Sequence, residues 1–188
     1  RKAKRRELGI PENDTVLILV GTHFMRKGMD RALLAVKNLK AKGLRCRLLI
    51  AGNDPFPAMN RRIREAGLSG SAFFLGPRRD VPALLLASDL MIHPAREEGA
   101  GAVLIEALAA GIPVVCTGGC GFSHYVAEAC GLALEEPFSQ SALEDAVADA
   151  LSRLPELKER VRAYASTQDF QGRARVFAET AEAFAASR

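Results

Sequence analysis

The 188 residues are 48% hydrophobic and 26% charged, enough apolar material for one buried core, which excludes a disordered or collagen-like chain. A net charge of +4 suits anionic ligands such as phosphates, whereas 6% aromatic residues and no Trp leave few platforms on which nucleic acid bases stack. No nucleic acid partner is expected. No apolar run approaches the length needed to cross a bilayer, and the opening RKAKRRELGIPEN lacks the apolar stretch of a secretory signal.

In chain order, residues 1–12 are basic and polar and begin without Met, so they read as a linker from an absent N-terminal domain, with residues 13–188 forming one domain. RKAKRR reads first as a solvated connection and second as a contact for anionic lipid head groups. The apolar run from Thr15 to Gly21 predicts a buried strand, and MDRALLAVKNLKAKG, apolar at helical spacing, predicts a helix after a basic loop. The alternation continues with LRCRLLIAG as strand, a helix from about Ala58, SAFFLG as strand, VPALLLAS as helix, DLMIHP as strand, VLIEALAAG as helix and IPVVCT as strand. A short strand over Gly131–Glu135 precedes three helical stretches, QSALEDAVADALSRL, PELKERVRAYAST and GRARVFAETAEAFAASR. Alternating aliphatic strands and helices predict an α/β, Rossmann-like, doubly wound parallel sheet with helices on both faces and ligands at the carboxyl ends of the strands. Cys46, Cys116, Cys120 and Cys130 show no C-x-x-C pair, so they read as reduced, buried thiols of a cytoplasmic protein.

Two loops carry the chemistry. In VGTHFMRKGMDRAL, Gly21, Arg26, Lys27 and Gly28 stand before a helix, where free amides and the positive end of the helix dipole favour an anion. The loop is neither G-x-G-x-x-G nor a Walker A sequence, and a solvated basic loop is the competing reading. In REEGAGAVLIEALAAGIPVV, small residues allow a ligand close to the backbone, and Glu98 and Glu106 stand eight positions apart, nearly one helical face. A carboxylate accepting from two vicinal hydroxyls suits a sugar or ribose; the alternative makes Glu98 a helix-dipole partner and Glu106 a solvent-facing residue. The apolar neighbours of Glu106 in LIEALAAG favour the functional reading, because a carboxylate among them needs partners. His23, His93 and His124 have no evident acid partner in the sequence and read mainly as satisfying backbone groups.

The stretch E-G-A-G-A-V-L-I-E-A-L-A-A-G-I-P-V-V resembles the E-x7-E signature of family 4 retaining glycosyltransferases, and R-K-G after the first strand fits it. DLMIHPAREEGAGAVLIEALAAGIPVV, CGFSHYVAEACG and EEPFSQ resemble most the lipopolysaccharide-core branch of that family. The resemblance extends over most of the chain and implies the C-terminal, donor-binding half of a GT-B fold, with residues 13–188 holding a UDP-hexose. It implies that Glu106 binds the ribose hydroxyls, Glu98 the transferred hexose, and Lys27 with Arg26 the diphosphate, Lys27 and Glu98 being the catalytic pair. Gly21 and the backbone of Gly99, Ala100, Gly101, Ala102 and Val103 would line sugar and phosphates, and the backbone near Arg78 would meet the uracil. The Arg78 side chain reads equally as an exposed cation at a helix start. Many family members carry Gly-Arg where this chain has Gly21 and Thr22, so Arg26 and Lys27 must supply the missing charge.

The implied reaction develops negative charge on a departing nucleoside diphosphate, which preorganised cations and amides stabilise. With such cations and amides a metal is unnecessary, and the absence of a D-x-D motif matches the metal independence that the GT-B resemblance implies, so no metal or cofactor is expected. Front-face attack, usual for the family, needs no protein nucleophile. The implied acceptor is the lipopolysaccharide core, reached through the absent half, so this segment alone is expected to bind donor and transfer nothing. Peripheral contact with the cytoplasmic face of the inner membrane is a further expectation. A GDP-mannose-using relative and a non-catalytic nucleotide-sugar module are the alternatives.

Overall fold

A computed structural model describes residues 1–130 and 132–170. The elements run α1 (Lys2–Glu7), β1 (Thr15–Val20), α2 (Met29–Ala41), β2 (Cys46–Ala51), α3 (Phe56–Glu65), β3 (Ala72–Gly76) and α4 (Val81–Ala87). They continue with β4 (Leu90–His93), α5 (Ala102–Ala109), β5 (Val114–Thr117), α6 (Ser123–Cys130), β6 (Ala133–Leu134), α7 (Gln140–Ser152) and α8 (Leu154–Thr167). All strand pairs are parallel, in the order β3-β2-β1-β4-β5-β6. Helices α2 and α7 pack together on one side, while α5 packs with α4, α6 and α8 on the other. The doubly wound sheet expected from the alternating pattern is therefore the observed one.

Strands β1 and β4 carry unbroken apolar sequence because helices cover both of their faces: Val16, Leu17, Ile18, Leu19, Leu90, Met91 and Ile92 are all 0% exposed. Burying each such side chain contributes roughly 1.5–3 kcal/mol. The strand order reverses between β1 and β4, so the connections leaving these two neighbours diverge to opposite faces and open a crevice at their carboxyl ends. That crevice lies beneath the two loops singled out in the sequence.

Three details differ from the sequence reading. Residues 2–7 are helical, and Arg5, far from being solvated, is buried: it donates to Ala87 O at 2.8 Å and to Asp89 Oδ2 at 2.6 Å. The third helix starts at Phe56, because Pro57 sits comfortably in a first turn, where its missing N–H has no partner to lose. The short strand after α6 covers Ala133–Leu134 only. Gly131 and the stretch GRARVFAETAEAFAASR lie outside the described residues.

Candidate donor site

The loop from Gly21 to Gly28 leaves the end of β1 and turns into α2. Gly28 caps that helix with φ +74°, and a Cβ on it would stand 2.0 Å from Pro94 O, so only glycine lets the two loops approach. Arg96 N donates to Arg26 O at 2.8 Å, and the Arg96 guanidinium holds Asp30 at 2.7 Å and Met25 O at 2.9 Å. These bonds tie the loop after β4 to the loop after β1. Asp54 Oδ2 accepts from Phe24 N at 3.0 Å and braces the first loop from the β2 side.

The acidic loop, residues 94–101, is secured from β5. Glu98 bridges to Cys120, Gly121 N donates to Gly99 O at 2.9 Å and Phe122 N donates to Ala100 O at 2.9 Å. A Cβ on Gly121 would lie 2.2 Å from Gly99 O, which explains a small residue there. Thr117 Oγ1 donates to Ala95 O at 2.8 Å from the end of β5. Gly101, in the left-handed conformation, opens α5 without a side-chain cap, and Gly28 does the same for α2. Both helices turn the positive ends of their dipoles to the crevice end of the sheet, but the opening amides of α2 are taken: Met29 N donates to Phe24 O at 2.9 Å, and the Asp30 carboxylate accepts from the Asp30 and Arg31 amides.

Where these loops meet, Lys27 Nζ donates to Glu98 Oε2, and the same oxygen lies 3.1 Å from His93 Nε2. Side-chain exposure is 9% for Lys27, 13% for Glu98 and 0% for His93. Burial alone would raise the Glu98 carboxyl, but the contacts with Lys27 and His93 outweigh it and hold the group below its ordinary range. Burial pushes the His93 imidazole down against the pull of Glu98, favouring its neutral form.

Lys27 and Glu98, from loops 71 residues apart, are thus brought into direct contact, with Gly21 packed over the aliphatic stem of Lys27. Arg26 is exposed and lines an open concavity of about 580 Å³ with Met25, Arg96 and Glu97. Gly99, Ala100 and Ala102 are exposed, Val103 half-buried and Gly101 buried along the same rim. Thr22 is exposed, its Oγ1 3.3 Å from His23 Nδ1. His124 Nδ1 lies 3.2 Å from Gly121 O, the backbone contact expected of such a residue.

Two sequence arguments fail in detail. Glu98 lies in the loop ahead of α5, so helical spacing does not relate it to Glu106. Glu106 is exposed on α5, because its apolar neighbours Leu104, Ala107 and Leu108 turn to the core while it points outward. It needs no buried partner. The Arg78 side chain is held by Asp80 through two bonds of 2.7 Å and by Glu7 at 3.7 Å, which leaves the backbone of its loop as the part able to meet a ligand. The pairing of His93 with Glu98 escaped the sequence reading, although a histidine five residues before a candidate carboxylate, at a strand end, was the signal for it.

Residues 1–168 match the family of glycosyl transferases group 1. The chain is 39% identical over 175 residues to the lipopolysaccharide glucosyltransferase WaaG of Escherichia coli K12, covering 90% of this chain and 46% of that protein. The crystal structure of WaaG, a glycosyltransferase involved in lipopolysaccharide biosynthesis, superposes with a TM-score of 0.84 at 38% identity, covering 90% of this chain and 47% of that one. Anabaena Alr3699/HepE, crystallised with UDP and glucose, shares the fold with a TM-score of 0.78 at 23% identity over 96% of this chain and 51% of its own. The chain spans about half the length of these relatives. Its sheet has the architecture of GT-B glycosyltransferase structures, and the chain belongs to the glycosyl transferases group 1 family.

Proposed function

We propose that this chain is the donor-binding half of a retaining hexosyltransferase that moves glucose or a related hexose from a UDP-sugar to the heptose region of lipopolysaccharide core. The observation that carries this reading is the meeting of Lys27 and Glu98 at the sheet's reversal point, beside the glycine-led N-termini of two helices. The similarity to the E. coli lipopolysaccharide glucosyltransferase over 90% of the chain supports the choice of hexose and acceptor class.

In this reading the diphosphate settles against the first amides of α5, near the positive end of α2 as well, drawing Lys27 Nζ toward it and using Arg26 from the rim. The positive ends of both helices stabilise the negative charge that grows on the phosphate as the glycosidic bond breaks, without calling on a metal ion. Glu98 accepts hydrogen bonds from hexose hydroxyls, and Glu106, exposed on α5, accepts from the ribose. The loop backbone at Arg78 meets the base. The acceptor enters from the other half of the enzyme, so the segment alone binds and does not transfer.

Calorimetric titration with UDP and GDP, without divalent metal, tests the reading. UDP is expected to bind in preference to GDP, and Glu106→Ala to weaken UDP binding by roughly 1.5–3 kcal/mol, the worth of charge-assisted hydrogen bonds. An unchanged Kd in the variant would remove the ribose assignment, and equal affinity for both nucleotides would remove the preference for uracil at the Arg78 loop. Tighter GDP binding would redirect the donor to a guanosine sugar.

A further inference from the structure

We propose that His93 is a positioning residue: its neutral imidazole, protonated at Nε2, holds the Glu98 carboxylate in place for the hexose when Lys27 is drawn to the diphosphate. The inference rests on the donor-site reading above and adds to it a residue that the reading does not use.

His93 is the last residue of β4 and pairs in register with Cys116 of β5, so its backbone is fixed by the sheet interior. The ring is 0% exposed, and Nε2 lies 3.1 Å from Glu98 Oε2. Nδ1 is buried with no hydrogen-bond partner among the described residues. A carboxylate can only accept, so a neutral ring beside it must carry its single proton on Nε2, leaving a bare lone pair at Nδ1. The arrangement sacrifices one buried ring nitrogen to aim the other at Glu98.

Both protein donors converge on Oε2, and Glu98 Oε1 has no hydrogen-bond partner among the described residues. One oxygen is therefore anchored while the other is open to a ligand. The two anchors differ in kind. Lys27 is a mobile cation that an arriving diphosphate attracts, whereas a neutral N–H rooted in the sheet is left where it is. With Lys27 gone from Oε2, His93 alone keeps the carboxylate from swinging into water on its glycine-flanked loop.

The test compares UDP with UDP-glucose on the wild type, His93→Phe and His93→Gln, with thermal unfolding as a check that each variant folds. Glutamine offers an amide N–H near the position of the imidazole Nε2; phenylalanine offers shape alone. Phe is expected to erase about tenfold of UDP-glucose affinity while moving UDP affinity by less than about threefold, and Gln to restore most of the loss. An unchanged ratio of UDP-glucose to UDP affinity in the Phe variant overturns the proposal, as does Gln failing alongside Phe, or parallel loss for both ligands. A wild type that binds neither ligand would instead defeat the donor-site reading, and this inference with it. A readout free of ligand is the ¹⁵N spectrum of the His93 ring at pH 7. A proton on Nε2 alone is expected, and a proton on Nδ1, or on both nitrogens, contradicts the assignment.

Discussion

The two ends of the sheet handle charge in opposite ways. At the amino end of β4, Asp89 meets Arg1 at 2.6 Å, Arg5 at 2.6 Å, Lys158 of α8 at 2.8 Å and Val16 N at 3.0 Å, so each carboxylate oxygen has two donors. At the carboxyl end of the same strand, Glu98 has no partner for one oxygen among the described residues, two helices begin at glycines that supply no side-chain cap, and Arg26 is exposed. One end uses its charges to join the first helix, the sheet and the last described helix. The other end leaves charge that its architecture does not saturate, with glycines at Gly28 and Gly121 keeping the loops close, and in the proposed function that charge meets the donor. Within a single strand's length, saturated charge holds the architecture together, and the charge left unsaturated is what the proposed function assigns to the donor.

Breaking the saturated end should cost stability and spare binding. Asp89→Ala leaves the buried Arg5 guanidinium without its counter-charge, and a loss of about 3–5 kcal/mol in urea denaturation is expected, with UDP affinity unchanged once the protein is folded. A loss below about 1 kcal/mol would mean that Arg5 is satisfied by the carbonyls of Ala87, Glu12 and Asp14 alone.

Acid sharpens the same contrast. Burial would raise the Asp89 carboxyl, but Lys158, the Val16 amide and Arg1 outweigh it and hold it at about 2, below the ordinary 3.8. The folded carboxyl therefore binds its proton less tightly than the unfolded one. Its contribution, at most about 2 kcal/mol, is complete above about pH 4 and is lost as pH falls through about 2. Denaturant midpoints measured between pH 5 and pH 2 should show this slope in the wild type and a shallower one in Asp89→Asn.

Much of this division was legible in the sequence. Aliphatic strands such as TVLILV and amphipathic helices such as MDRALLAVKNLKA set the alternation, because a two-sided buried strand and a one-sided helix leave different periodicities. Lys27 and Glu98 were legible because small residues and charges sit together just before helix starts. The docking of Arg5 was not, since its partners Ala87 and Asp89 are more than 80 residues away and a basic run looks solvated until something buries it. The exposure of Glu106 depends on which way α5 is turned, which its apolar neighbours alone do not decide. The convergence of Lys27 and His93 on one oxygen is a product of folding: it requires β1 and β4 to be neighbours, a fact of topology rather than of local sequence.

The central claim is that the unsaturated end binds a nucleoside diphosphate sugar through Lys27, and the most direct measurement is the Kd for UDP of the wild type against Lys27→Met. The account predicts weakening by about tenfold with the fold retained, since methionine keeps the packed stem and loses only the charge. An unchanged Kd would place the diphosphate elsewhere and contradict the assignment.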